Sequence, residues 1–331
     1  MNSFDYLETA TEPWVRYRYL LDILGKKLND PLVLQTREAM ISHPLVQVIL
    51  HDLHDWPGVV LNSHKSANQL YHKLEFLADL GLTDQDGPIG TVLKTMQAHQ
   101  SLNGIPQLPM QISESHGGTN TPLWAWALCD APVQLYAAVK MSSLGIQAFE
   151  APIHALMNLG SSNGWGCHVS AELGKFRGPG KKADPCPYAT LVMLKLLSLD
   201  PKYAKTAVVE SGIESLLHLW NQSLVEHPYQ FYMGHDFRKL KAPFIWYDIL
   251  HVTEVLSRYE IALTDPRFME MFQLILSQAD AFGRYQAQSV WQAWKGWDFA
   301  QKEIPSPWLT LMVEIIEKRV HSNKNITKTM V

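Results

Sequence analysis

Three cysteines in 331 residues are too few, and odd in number, for a disulfide scaffold, and a chain this long does not need one. Cys129, Cys167 and Cys186 are therefore expected as reduced thiols or ligands. Charge is sparse too: 18% of residues carry it, the net balance is −4 and the pI is near 6.4. A chain without a basic surplus lacks the face that displaces counterions from a nucleic acid, so nucleic acid is excluded as the expected partner. No uninterrupted apolar run reaches the roughly 18 residues of a membrane span. The opening MNSFDYLETATEPWVRYRYL carries acids where a secretory leader is basic, so the expectation is a cytoplasmic protein without a transmembrane segment. Alternating Val, Ile and Thr are almost missing, which removes the sheet as the main architecture. What is present is a chain 47% hydrophobic, enough for one large core or two ordinary ones.

That apolar content is organised as a repeat. APVQLYAAVK from Ala131, CPYATLVMLK from Cys186, APFIWYDILH from Ala242 and SPWLTLMVEI from Ser306 each give a small residue, a proline and an apolar helix. Pro132, Pro187, Pro243 and Pro307 stand 55, 56 and 64 residues apart. Proline suits the first helical position because the N–H it lacks has no partner there anyway. Between these helices lie amphipathic stretches, FEAPIHALMNLG, VVESGIESLLHLWNQ and RFMEMFQLILSQADA, leading into the Gly/aromatic loops NGWG, YQFYMG and FGRY. Each repeat thus predicts an inner apolar helix, an outer helix with one wet stripe and a Gly/aromatic loop. Residues 66–82 and 87–100 read as a further inner and outer helix, and 31–55 as helical. The fold class expected is all-α. An open array needs polar caps at both ends, whereas PWLTLMVEIIEKRV and the segment of Trp14, Tyr17, Tyr19, Leu20 and Leu21 are apolar, so a closed α/α toroid is expected over 1–331 as a single domain. Residues 1–60 fit the repeat least well, and 320–331 read as a flexible tail.

KFRGPGKKADPCPYATL, Lys175–Leu191, concentrates cations, glycines, an acid and a thiol ahead of an apolar helix. Lys175, Arg177, Lys181 and Lys182 among glycines suit an anion, helped by the positive end of the helix that follows. A solvated turn has the same composition. Asp184 reads equally as a helix cap, and Cys186 as a small buried residue in the place of Ala131, Ala242 and Ser306. Asp248 stands five residues into the Pro243 segment, among Phe244, Ile245, Trp246, Tyr247, Ile249 and Leu250, so the spacing predicts a helix-interior carboxylate. Its burial needs a partner, and His251 shares its face. A purely structural pairing with a basic residue of another helix remains the alternative. The thiol and acid of WALCDAP and the Cys167–His168 pair of NGWGCH are further entrance residues.

Repeated helix pairs with Gly/aromatic loops resemble the squalene–hopene cyclase and protein prenyltransferase β-subunit superfamily, over roughly residues 60–315. The resemblance is sharpest at GKFRGPGKKADPCPY, similar to the Gly-Phe-x-Gly-Arg-x-Asn-Lys-x-x-Asp-Gly-Cys-Tyr segment of farnesyltransferase β subunits. It implies zinc ligation by Asp184 and Cys186 and diphosphate binding by Lys181, with Lys182 beside it and Arg177 one position out of register. Asp248 stands where that family has its third zinc ligand, a histidine, and His251 one turn later, so the third ligand is either of them. Three such donors leave the open position of a catalytic zinc. The Asp-x-Asp-Asp and Asp-Asp-x-x-Asp motifs of the cyclases and synthases are missing, and DQDG at Asp84 is the nearest approach.

Two functions follow as expectations. In one, an enzyme of the prenyltransferase or cyclase type takes an isoprenoid or other hydrophobic, diphosphate-bearing substrate in a central cavity. Arg177, Lys181 and Lys182 bind the diphosphate, Tyr247, Asp248 and His251 are the catalytic candidates, and Asp184, Cys186, Asp248 and His251 supply zinc ligands. An α-type partner subunit or a homo-oligomer is left open. In the other, a non-catalytic toroid binds a hydrophobic ligand or a protein. The tryptophans, Trp246 among them, either line the cavity or anchor the core.

Overall fold

The computed structural model describes residues 2–176, 183–223, 225 and 232–329, with side chains through 323. Among these, helix accounts for 54% and strand for 5%, so the chain is all-α. The strands form two short antiparallel pairs, Leu108–Met110 with Leu123–Ala125 and Gly160–Ser161 with Gly164–Trp165. Among the described residues no helix is long and apolar enough to cross a membrane.

Contacts divide the chain into two compact units. A central unit comprises Leu50–Gly234 and Ile245–Tyr247; a terminal unit comprises Met1–Ile49, His235–Phe244 and Asp248–Val331. In the central unit, the helices Leu70–Leu80, Ala131–Met141 and Pro187–Leu197 pack side by side in chain order and are almost wholly buried. The helices Ile89–Ala98, Glu150–Met157 and Ala207–Asn221 bury one stripe each. This is the alternation the hydrophobic pattern predicts. One polar cluster crosses the three buried helices: Lys195 donates at 2.8 Å to both Glu75 and Asp79, and Asp79 also accepts from Tyr136 at 2.6 Å and Lys140 at 3.1 Å. Such charges are tolerated only because each is paired.

In the terminal unit, Ile249–Leu256 is buried along its whole length and packs on Pro266–Leu276 and on the helix that starts at Pro307. That last helix runs to Thr329, so the stretch expected as a tail is helical as far as that residue. Ser3–Glu8 and Pro13–Arg18 lie against it, and Pro31–Ser42 packs on Pro13–Arg18.

Pro132, Pro187 and Pro307 each stand in the first turn of a helix, as their sequence context predicts. Pro243 does not. The chain from Pro243 to Tyr247 is non-helical, and the helix begins at Ile249 with Asp248 as its N-cap, accepting the His251 N–H at 3.0 Å. Asp248 is therefore not the helix-interior carboxylate expected. An aspartate ahead of an apolar run is a strong cap and sets the start. The upstream backbone finds partners elsewhere: Ile249 donates to the Phe237 carbonyl at 2.8 Å, and the Ile245 carbonyl accepts from the Tyr188 hydroxyl at 3.1 Å.

The repeat has a recurrent joint. Cys186 N–H donates to the Trp165 carbonyl at 2.7 Å, and Trp165 N–H donates to Thr190 Oγ1 at 3.0 Å. Ser306 N–H donates to the Tyr285 carbonyl at 2.7 Å, and Tyr285 N–H to Thr310 Oγ1 at 3.1 Å. The Ile249–Phe237 bond places Thr253 at the corresponding position. The equivalent positions are thus Cys186, Ile249 and Ser306. The NGWG loop abuts the next buried helix: Trp165 is fully buried, with its indole donating to the Leu156 carbonyl at 3.1 Å. Gly164, at φ 93°, turns the chain where a Cβ would come within 3.0 Å of Thr190 Oγ1.

Candidate functional site

A group of chemical side chains in the central unit gathers where its buried helices begin. His64 lies in the loop ahead of Leu70–Leu80, and its carbonyl is bonded by the Tyr71 hydroxyl at 3.2 Å and the His72 ring at 3.0 Å. Its Nε2 lies 2.9 Å from Asp130 Oδ2. Asp130 is the N-cap residue of Ala131–Met141, and its carboxylate also accepts from Ala127 N–H at 3.0 Å and Gln134 Nε2 at 3.2 Å. Burial pushes the Asp130 carboxyl up, and the His64 hydrogen bond is the largest influence opposing it. Asp130 is 0% exposed at its side chain while His64 keeps 15%, so the imidazole is the member of the pair open to a reactant. An ionised carboxylate only accepts, so with Asp130 ionised the proton between the two is carried by His64 Nε2.

Close to this pair stand buried, neutral rings. Burial lowers His72 to about 3 and raises Tyr71 and Tyr188 far above the usual phenol value. Asp130 is among the charges both phenols feel. Trp246 stacks on Tyr188 with ring centroids 4.2 Å apart, and the Lys65 ammonium stands 5.1 Å over the Trp246 ring.

The thiols belong to the same neighbourhood. Cys129 immediately precedes Asp130, and Cys186 is the N-cap residue of Pro187–Leu197. The Cys186 thiol and burial push Cys129 up, while Cys129 holds Cys186 below its ordinary value. The two helix starts are held side by side by the Trp165–Ser170 segment. It accepts from Cys186 N–H at the Trp165 carbonyl and from Leu128 N–H, at 3.0 Å, at the His168 carbonyl, while Ser170 N–H donates to the Trp126 carbonyl at 2.9 Å.

The residues singled out in the sequence fall in several places. Arg177, Lys181 and Lys182 lie outside the described residues. Asp184 is half-buried in the bend before Pro187–Leu197, where the cap position belongs to Cys186 and not to it. Asp248 is spent on its capping bond, and burial pushes its carboxyl up to about 7, opposed by the His251 N–H and by Lys241. The His251 ring is buried and stacked on Phe244 with centroids 4.5 Å apart. The Tyr247 hydroxyl accepts from Tyr232 N–H and donates to the Tyr232 carbonyl, and burial pushes it up to about 12. Among the described residues no group of three or more His, Cys, Asp and Glu side chains is placed to hold a metal ion. Trp165, Trp294, Trp297 and Trp308 are buried core anchors, while Trp246 is half-buried.

Sequence reasoning missed His64. Its partner is 66 residues away, and a single histidine in a polar turn carries no local pattern. Asp130 was visible only as an acid at a helix entrance. No known protein family, curated protein or solved structure matches the chain.

Proposed function

We propose that the chain is an enzyme of the isoprenoid-transferring or cyclising type, acting on a hydrophobic substrate where the buried helices of the central unit begin. His64 is its acid–base residue, and Asp130 positions it. The observation that carries this reading is a wholly buried carboxylate turned onto one ring nitrogen of a part-exposed histidine whose own backbone is clamped by Tyr71 and His72. A carboxylate so placed fixes the tautomer and stabilises the imidazolium that forms when the other nitrogen takes a proton. Trp246, stacked on Tyr188, carries the Lys65 ammonium 5.1 Å over its ring, so its quadrupole is placed where a cation is held, as an isoprenoid carbocation requires. In the same reading Arg177, Lys181 and Lys182 hold a diphosphate, and the helical repeats close into an α/α toroid.

The binding-only alternative has one observation in its favour: the Asp130 carboxylate accepts from Ala127 N–H and Gln134 Nε2 besides facing His64, the arrangement of a structural clamp. Turnover separates the two. Purified protein incubated with farnesyl or geranylgeranyl diphosphate, with and without acceptor peptides and alcohols, is expected to give products by mass spectrometry. His64→Ala is expected to cut the rate by about a hundredfold or more with its fold intact, the usual scale of an acid–base group. Binding of these diphosphates without any turnover supports the non-catalytic reading, and a His64→Ala enzyme as fast as wild type removes His64 from the chemistry.

A further inference from the structure

We propose that the terminal unit carries a binding site of its own, a pocket for a small phosphate monoester in which Arg319, Lys318 and Arg258 hold the phosphate. The pocket has a volume of about 480 Å³. Its wall on the last helix is Ile315, Lys318, Arg319 and Ser322, which the helical spacing sets on one face. Arg258, just past the end of Ile249–Leu256, and Leu263 of Glu260–Leu263 complete it.

The two arginines converge on one buried carboxylate. Arg258 donates from Nη2 to both Glu254 oxygens at 2.9 Å and from Nε to Oε1 at 3.1 Å. Arg319 spends Nη1 alone on the protein: it donates to Glu254 Oε1 at 2.9 Å, to the Glu254 carbonyl at 3.2 Å and to Ser257 Oγ at 2.8 Å. These bonds fix the guanidinium, while its Nε and Nη2 have no partner among the described residues. Those two nitrogens form one edge of the planar fork, the edge that grips two oxygens of an oxyanion. The Lys318 ammonium donates to the Asp22 and Ile23 carbonyls at 2.6 and 3.0 Å, which leaves one of its three N–H groups for a ligand. Asp22 itself is gripped by Arg18 at 2.8 and 2.9 Å. Three cations therefore stand against two acids, Glu254 and the exposed Glu260. A carboxylate ligand is exhausted by the arginine edge, whereas a phosphate has a further oxygen for Lys318 and a second charge to offset the surplus. Leu263 and Ile315 offer an apolar wall to the carbon body of a monoester.

The test uses the full-length protein and phenyl phosphate as the probe, with inorganic phosphate for comparison, by isothermal titration calorimetry. Phenyl phosphate is expected to bind more tightly than inorganic phosphate, and more weakly as sodium chloride is raised, because partly exposed charges are screened. Arg319→Gln is expected to lower its affinity about tenfold or more, the scale of a charge-assisted hydrogen bond. Phenylglyoxal, which modifies arginine, is expected to label Arg319 in the free wild-type protein and to spare it when phenyl phosphate is present, as mapped by mass spectrometry. That wild-type map decides the matter even where the variant folds poorly. The proposal is overturned if phenyl phosphate does not bind, if inorganic phosphate binds as tightly, if Arg319→Gln binds as wild type does, or if the probe leaves Arg319 labelling unchanged.

Discussion

Asp248 is a carboxylate in surroundings that work against its charge. It is 3% exposed, bonded to the His251 N–H, and pushed up to about 7 from 3.8 by burial, with Lys241 as the charged group that opposes the shift. Below pH 4 the group is protonated in both the folded and unfolded chain and costs nothing. Between about pH 4 and 7 the unfolded chain releases the proton while the fold retains it, so stability falls as pH rises through that window and levels off above it. The loss is on the order of 4 kcal/mol. Asp298, pushed up to about 6 by burial and bonded to Ser306 and to the Trp308 N–H, adds a slope of the same sign. Asp248→Asn keeps an acceptor for the capping bond and removes the titration. Urea unfolding across pH 4 to 8 is expected to show a shallower decline for this variant, with a residual slope left by the other carboxyls that burial pushes up, Asp298 and Asp130 among them, and a higher midpoint than wild type at pH 8. A variant profile parallel to wild type contradicts the burial argument.

At the scale of elements, the joints that follow the NGWG and FGRY loops each rest on one threonine. Thr190 and Thr310 accept the Trp165 and Tyr285 N–H groups, whereas Thr253 Oγ1 is buried with no hydrogen-bond partner among the described residues. Replacing threonine by isosteric valine therefore has opposite consequences within one repeat. Thr190→Val and Thr310→Val orphan a buried N–H and are expected to cost about 1–3 kcal/mol, while Thr253→Val removes an unsatisfied hydroxyl and is expected to be neutral or stabilising. Thermal unfolding of the three variants checks this; equal losses at all three contradict it. The same elements show what the sequence made legible. The helices after Pro132, Pro187 and Pro307, and the amphipathic helices before each loop, follow from local pattern alone because proline and the apolar stripe act within one turn. Pro243 misled because two start signals compete there. A proline fits an extended segment as well as a helix start, and Asp248, five residues on, caps better. The threonine joint escaped notice because it links residues 25 apart, Trp165 with Thr190, across a loop.

At the scale of the whole molecule, helical class and the alternation of wholly buried and one-striped helices were readable because they are written in composition and spacing, and the candidate site was not. Its members are His64, Asp130, Cys129, Cys186, Tyr188 and Trp246, drawn from four separate stretches. Only packing of the helices Leu70–Leu80, Ala131–Met141 and Pro187–Leu197 makes them neighbours. Local pattern pointed instead to Asp248 and His251, whose chemistry is absorbed by a helix cap and a ring stack. The central claim is that a hydrophobic substrate lies against Trp246 beside the His64–Asp130 pair. Photo-crosslinking with a diazirine-bearing farnesyl diphosphate, mapped by mass spectrometry, tests it most directly. The account predicts adducts on the segments of Lys65 and Trp246 that disappear when unlabelled farnesyl diphosphate competes. Adducts confined to the terminal unit, or labelling that no competitor reduces, would contradict it.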